Sequence, residues 1–172
     1  MSESGYADFV TGLDEDTYAS ARARRASLIG GVLLIAAGVS GCAASVGFGA
    51  PTLTSAEADA VVKDAAAIRV NLSGSIGVDR KGCFNWVSVD TDDPLNGSWI
   101  VWPDGTRQED DEVVLPSGKH LGAGDTIVAA GAPVAVANLP LGTDDQSYFG
   151  SFGPFCDADD HGVLVVIEVI RG

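Results

Sequence analysis

The chain has 172 residues, 46% of them hydrophobic, and its 10 basic against 24 acidic side chains leave a net charge of −14 at neutral pH. That is enough apolar material for one ordinary core and too little chain for two full domains at ~100–200 residues each. Binding driven by phosphate neutralisation needs a basic stripe, which so few dispersed cations do not supply, so no nucleic acid is expected as a partner.

At the amino terminus, residues 26–56 carry no charged side chain, and Leu28–Val39 reads LIGGVLLIAAGV shortly after Arg22, Arg24 and Arg25. Cations beside an apolar run resist translocation, so the run reads as an export signal that places the following chain outside the cytoplasm. It ends in Val39-Ser40-Gly41-Cys42. Those four residues after an apolar run resemble the lipobox of bacterial lipoproteins, in which small residues precede a cysteine. The resemblance implies that Cys42 receives diacylglycerol and becomes the first residue after cleavage. The alternative is an uncleaved single span over Leu28–Phe48, about twenty residues and enough to cross a ~30 Å hydrocarbon core. The acidic stretch before the arginines (Glu3, Asp8, Asp14, Glu15, Asp16) favours the span. Either way a membrane is an expected partner, through a lipid or a single span, and the domain is expected on the extracytoplasmic face of the cell membrane.

The predicted organisation is a signal peptide or anchor over 1–41, a small, uncharged tether over 42–53, one helix over 54–69 and a β-domain over 70–172. Thr54 with Glu57 matches a capping box, and Ala58, Val61, Val62, Ala65 and Ile68 recur at helical spacing. From Val70 onward, short β-branched or alternating runs are divided by turn signals every ~8–12 residues. Predicted strands are Leu72–Val78, Cys83–Val89, Trp99–Trp102, Glu112–Leu115, Thr126–Ala130, Val134–Ala137 and Val163–Ile170, with no second helix. Asp79-Arg80-Lys81-Gly82, Pro103-Asp104-Gly105 and Pro116-Ser117-Gly118 supply turn chemistry between them. The segment Trp102-Pro103-Asp104-Gly105-Thr106, with the later Gly124-Asp125 turn, is similar to small β-domains of uncharacterised actinobacterial secreted proteins and lipoproteins, a group that implies no activity. An all-β, OB-like small barrel is the expected fold, with an immunoglobulin-like sandwich as the alternative.

Three cysteines outside the cytoplasm leave one odd thiol. With Cys42 lipidated, Cys83 and Cys156 remain to pair as a disulfide, whose long loop adds ~4 kcal/mol in the chain-entropy model. A zinc site from these two with His120 and His161 lacks the short ligand spacings that structural zinc uses. Asp157, Asp159, His161, Gly162 and Glu168 fall at positions 1, 3, 5, 6 and 12 of a calcium-loop spacing. Histidine is a poor ligand for a hard cation and Val163–Ile170 reads as a strand, so no metal or cofactor is expected.

Nucleophile elbows, S-x-x-K, H-E-x-x-H, phosphate loops and dinucleotide fingerprints are all missing from the sequence, and both histidines sit in turn-like settings. Carboxylate groups at Asp90/Asp92/Asp93, Asp110/Asp111/Glu112, Asp144/Asp145 and Asp157/Asp159/Asp160 are too numerous to select a catalytic pair. No catalytic residues are assigned. The aromatic candidates for binding are Tyr148, Phe149 and Phe152, in a Gly/Pro-broken segment that also holds Phe155, with Trp99 and Trp102, whose spacing turns one of them outward on a regular strand. The expected function is that of a non-catalytic interaction module at the cell envelope, binding an envelope protein or a glycan. The alternatives are a cell-wall or glycan hydrolase using an acidic pair, and a phage-encoded envelope lipoprotein that excludes competing phage.

Overall fold

The computed structural model describes residues 49–172; the apolar run, Cys42 and most of the tether lie outside them. In chain order, β1 (Thr52–Leu53) and α1 (Ser55–Asp64) lead into β2 (Val70–Val78), β3 (Phe84–Val87) and β4 (Trp99–Pro103). A small sheet of β5 (Arg107–Glu109), β6 (Glu112–Val114) and β7 (His120–Leu121) follows. Then come β8 (Thr126–Val134), a single 3-10 turn at Val136–Asn138, α2 (Tyr148–Phe155), α3 (Ala158–His161) and β9 (Val163–Arg171). No helix among the described residues is long and apolar enough to cross a membrane.

The domain is mostly β and is built on a closed five-stranded barrel. β2 lies antiparallel to β3 on one edge and to β8 on the other, β3 meets β4 at Asn85 opposite Trp99, and β8 runs antiparallel to β9. β9 closes the ring by pairing in parallel with β4, Trp99–Val101 against Val163–Val165. A closed ring leaves no two facing sheets, so the sandwich alternative is set aside. Register shifts in β8 against β9, on both sides of Ala129–Ala130, give the local bends that closure requires.

Period-two alternation divides β4 and β9 between two cores. Ile100, Trp102, Leu164 and Val166 point into the barrel with Ile76, Phe84, Trp86 and Ile127. Val113, Leu115 and Leu121, from the small sheet and its turn, pack into this interior cluster. Trp99, Val101, Val163 and Val165 point outward, where Ala58 and Val61 of α1, the disulfide sulfurs and the half-buried Tyr148, Phe149 and Phe152 of α2 cover them. Burial on both faces is why residues 99–102 of β4 and 163–166 of β9 read as unbroken apolar runs.

Three expectations change. The expected strands Thr126–Ala130 and Val134–Ala137 are replaced by the single strand β8 and a 3-10 turn. Pro133 sits opposite Leu164 of β9, and the ladder with β2 ends at Val70 opposite Gly131, so beyond Gly131 that edge has no ladder for proline to break. The segment Tyr148–Phe155 is a helix, not a broken loop. Ser147 caps it by accepting from the Gly150 amide, and Gly150 and Gly153 lie where a side chain would collide: a Cβ would come 2.1 Å from the Asp144 carbonyl oxygen and 2.7 Å from Val136 Cγ1. The glycines that weaken helix propensity are what let this helix seat against the chain before it. Finally, α1 spans Ser55–Asp64 with the reciprocal Thr54–Glu57 box in place, and the chain leaves it before Ile68.

Candidate functional site

The aromatic candidates fall into two groups. Trp99 and Trp102 are both fully buried, which removes them as exposed binding residues. Their spacing does turn them to opposite faces of β4, but α1 and α2 cover the outer face, so Trp99 is a core residue of the second layer. Trp99 meets Phe149 edge-on at 6.3 Å between ring centres, and Phe149 meets Tyr148 in the same way at 5.4 Å. Tyr148 stacks on Phe152 at 4.9 Å, and Phe152 meets the exposed Phe155 at 5.8 Å. This continuous ladder runs from the barrel wall to the surface, each pair in a geometry that the ring quadrupoles favour. Burial holds the Tyr148 phenol neutral and pushes its pKa from 10.0 up to about 12. The half-buried Tyr148, Phe149 and Phe152 pack α2 against the outer face of the barrel.

The same cover is pinned at its outer end. Cys83, in the β2–β3 turn, is bridged to Cys156 at the end of α2 (Cα–Cα 5.7 Å). Lys81 of that turn donates to both carboxylate oxygens of Asp157 (2.7 and 2.9 Å) and to the Phe155 carbonyl (2.8 Å), with its ammonium 5.7 Å from the centre of the Phe155 ring. Asp157 is thus an ion-pair partner, and α3 followed by β9 occupies the stretch with calcium-loop spacing. Among the described residues no group of three or more His, Cys, Asp or Glu side chains is placed to hold a metal ion.

The other carboxylate groups largely order their own loops. Asp93 accepts from the Ser88 hydroxyl and from the Leu95 amide (2.9 Å), and Asp90 accepts from the Asp92 amide (3.0 Å). The Ser88 hydroxyl, then the Leu95 amide, hold the Asp93 carboxyl below its usual range. Asp144 accepts from the Gln146 amide, and Glu112 reaches His120 Nδ1 at 3.0 Å across the β6–β7 pair.

A concave feature lies at the end of the barrel where β2, β4 and β9 start and β3 and β8 finish. A groove of about 690 Å³ runs there between the segment after α1 (Ala65, Ile68, Val70), the β3–β4 loop (Asp93, Pro94, Leu95) and the β8 end (Pro133, Val134). His161 and Gly162 line it at the start of β9. Ile68 is 76% exposed and Val70 38% exposed, an unusual degree for large apolar side chains beside a concavity. Asp93 is the only carboxylate among the lining residues, and none of them is Lys or Arg. Arg69 stands between Ile68 and Val70 but is ion-paired with Asp59. The β3–β4 loop wall is ordered by the Asp93 bonds, by Ser88 N–H donating to Asn96 Oδ1 (3.1 Å) and by Ser98 Oγ donating to the His161 carbonyl (2.8 Å).

Sequence reasoning missed this groove because helical spacing carried Ile68 onto the buried face of α1. The helix ends at Asp64, four residues earlier, so Ile68 escapes that face. The usual stop signals do not mark this early end, since no glycine or proline follows Asp64 until Gly74. In comparisons with protein-family models, curated protein sequences and solved structures, nothing matched this chain.

Proposed function

We propose that the protein is a membrane-anchored extracytoplasmic lipoprotein whose OB-like barrel serves as a non-catalytic binding module at the cell envelope, with the groove at the barrel end as its binding site. The observation that carries this reading is the pair Ile68 and Val70, exposed apolar side chains on the rim of a concave, largely apolar surface in an otherwise strongly acidic domain.

The OB-like reading is supported by strand order. Counting only the barrel strands, the first pairs with the second and fourth, the second with the third, and the third runs parallel to the fifth, which also pairs with the fourth. In OB barrels the face of the second and third strands, with the loops after the first and fourth, takes the ligand. Here α1 and α2 cover the outward side of β4, and the corresponding loops are joined by Cys83–Cys156 and Lys81–Asp157. The β4 half of that surface is filled by the chain itself, which favours binding at the barrel end. The extracytoplasmic and lipid-anchored part rests on the cysteines: a disulfide suits an oxidising compartment and leaves Cys42 as the odd one. A strongly negative domain is repelled by anionic headgroups and stands off the bilayer, leaving attachment to the anchor.

Two measurements test this. The intact mass of detergent-extracted protein from its native host should correspond to a chain starting at Cys42 with added acyl mass; a full-length unmodified chain removes the lipoprotein reading. A photo-crosslinking side chain at position 68 should capture an envelope component in intact cells, whereas the same group at position 170, also exposed but away from the groove, should not. Equal capture from both positions would sink the groove as the binding site.

A further inference from the structure

The barrel wall beside the groove is incomplete. β2 pairs with β8 from Val70 to Ser75 but with β3 only from Ser75 to Val78. After Val87, β3 gives way to the β3–β4 loop, and no strand among the described residues pairs with the second edge of Val70–Gly74. In an antiparallel ladder, alternate residues turn their N–H and C=O groups away from the partner. About 17 Å of β2 therefore offers backbone donors and acceptors on the edge that β3 leaves. Asn71 and Ser73 are exposed there and Leu72 is half-buried. Val70 is both the first residue of this stretch and a lining residue of the groove, so open edge and groove meet at one point.

Open strand edges in natural proteins are generally blunted by lysine, proline, a bulge or a covering element. Val70–Gly74 reads VNLSG and carries neither lysine nor proline, and its pairing with β8 has no register shift. The electrostatics point to the sign of what would lie on it. Asp93 is held ionised on the groove wall by its bonds to Ser88 and Leu95, and Asp90 and Asp92 stand exposed in the same loop. The nearest cation in sequence, Arg69, is engaged by Asp59.

We infer that the groove receives an extended, basic segment of an envelope protein, which adds to the Val70–Gly74 edge of β2 as a further strand, sets an apolar side chain against Ile68 and Val70, and places a cation near Asp93. This rests on the groove being the binding site and adds the class of partner and the mode of recognition. Main-chain bonds to the edge supply affinity, and the groove with its acidic wall supplies selection among sequences.

The test uses the full chain in phosphatidylcholine nanodiscs and three fluorescent hexapeptides: alternating Lys and Val, alternating Glu and Val, and the Lys/Val peptide N-methylated at the alternate backbone amides that would face β2. Binding is read by anisotropy, and contact by hydrogen exchange at individual amides. The Lys/Val peptide should bind, slow exchange within Val70–Gly74, and weaken as salt is raised. N-methylation should weaken it at least about tenfold, which corresponds to the ~1.4 kcal/mol of one or two lost hydrogen bonds. Ile68→Ser, at an exposed position outside the barrel ladders, removes the apolar contact without adding charge and should weaken the Lys/Val peptide while leaving the barrel's exchange pattern unchanged. Binding without protection of Val70–Gly74, or equal binding of the methylated peptide, overturns strand addition. Preference for the Glu/Val peptide overturns the basic partner, and concentration-dependent protection of the same amides without any peptide assigns the edge to a second copy of this chain. Absence of peptide binding overturns this inference, and because crosslinking from position 68 in cells does not depend on these peptides, that outcome is distinguishable from failure of the groove reading itself.

Discussion

The interior of the barrel and the layer that covers β4 from outside are both dry, aromatic cores, yet they are held in different ways. The interior is enclosed by the sheet: Phe84, Trp86, Ile100 and Trp102 face one another across paired strands, and Phe84 meets Trp102 edge-on at 6.2 Å. The outer layer is assembled from segments far apart in sequence, namely α1, the β2–β3 turn and the long β8–β9 connection. It depends on point fastenings, which are the Cys83–Cys156 bridge, the Lys81–Asp157 pair and the capping box of α1. Outside the open edge of Val70–Gly74, the paired strands satisfy one another's backbone groups, so the interior core needs mainly side chains that fit. A layer of short helices needs fastening as well, because helices this short are marginal without tertiary anchors.

This contrast makes predictions of decreasing size. Trp102→Ala should empty the centre of the interior and cost about 3–5 kcal/mol in urea unfolding, a loss spread over the whole barrel. A local effect restricted to α1 and α2 would break the distinction between the cores. Replacing Cys83 and Cys156 together by Ser frees a long loop and should cost about 2–4 kcal/mol. Hydrogen exchange should then rise in α2, α3 and the β2–β3 turn while β8 and β9 stay protected. Equal loss of protection in the barrel would make the two cores one cooperative unit. Thr54→Ala removes the acceptor for the Glu57 amide and should cost about 1 kcal/mol, visible as fraying at the start of α1.

The last expected effect is in pH. Because the Tyr148 phenol is pushed from 10.0 up to about 12, folding is favoured by the neutral form below pH 10, and that contribution is lost as pH rises from 10 towards 12. Phenolate absorbance should show a tyrosine that ionises late, and loosening of α2 should accompany it. Phe149→Ala, which removes a neighbour of that ring, should bring the ionisation down. If it does not move, the aromatic ladder is not what keeps Tyr148 dry.

Local chemistry made much of the barrel legible. Alternation in Phe84–Val87, the β-branched run of Val163–Arg171 and the turn residues of Asp79–Gly82 each act within a few residues, and each element forms close to where the pattern puts it. The capping box of α1 is a three-residue signal and is present as two reciprocal hydrogen bonds. Elements too short to carry a pattern, or whose glycines are explained only by packing against another segment, were not readable. β5 and β7 are three and two residues long and exist only beside β6. Likewise, Gly150 and Gly153 signal a break until Asp144 and Val136 are seen to fill the space that side chains would need.

The sequence by itself determined an all-β domain led by one capped helix and a cysteine pair available for a bridge, because alternation, turn chemistry and capping are set by neighbours along the chain. Tertiary structure alone decided the parallel β4–β9 closure, the burial of both Trp99 and Trp102, and the meeting of Ile68, Leu95 and Val134 around one groove. The reason is common to all three. Each joins segments separated by tens of residues, and which of several apolar faces ends up covered depends on the path of the whole chain rather than on any window of it.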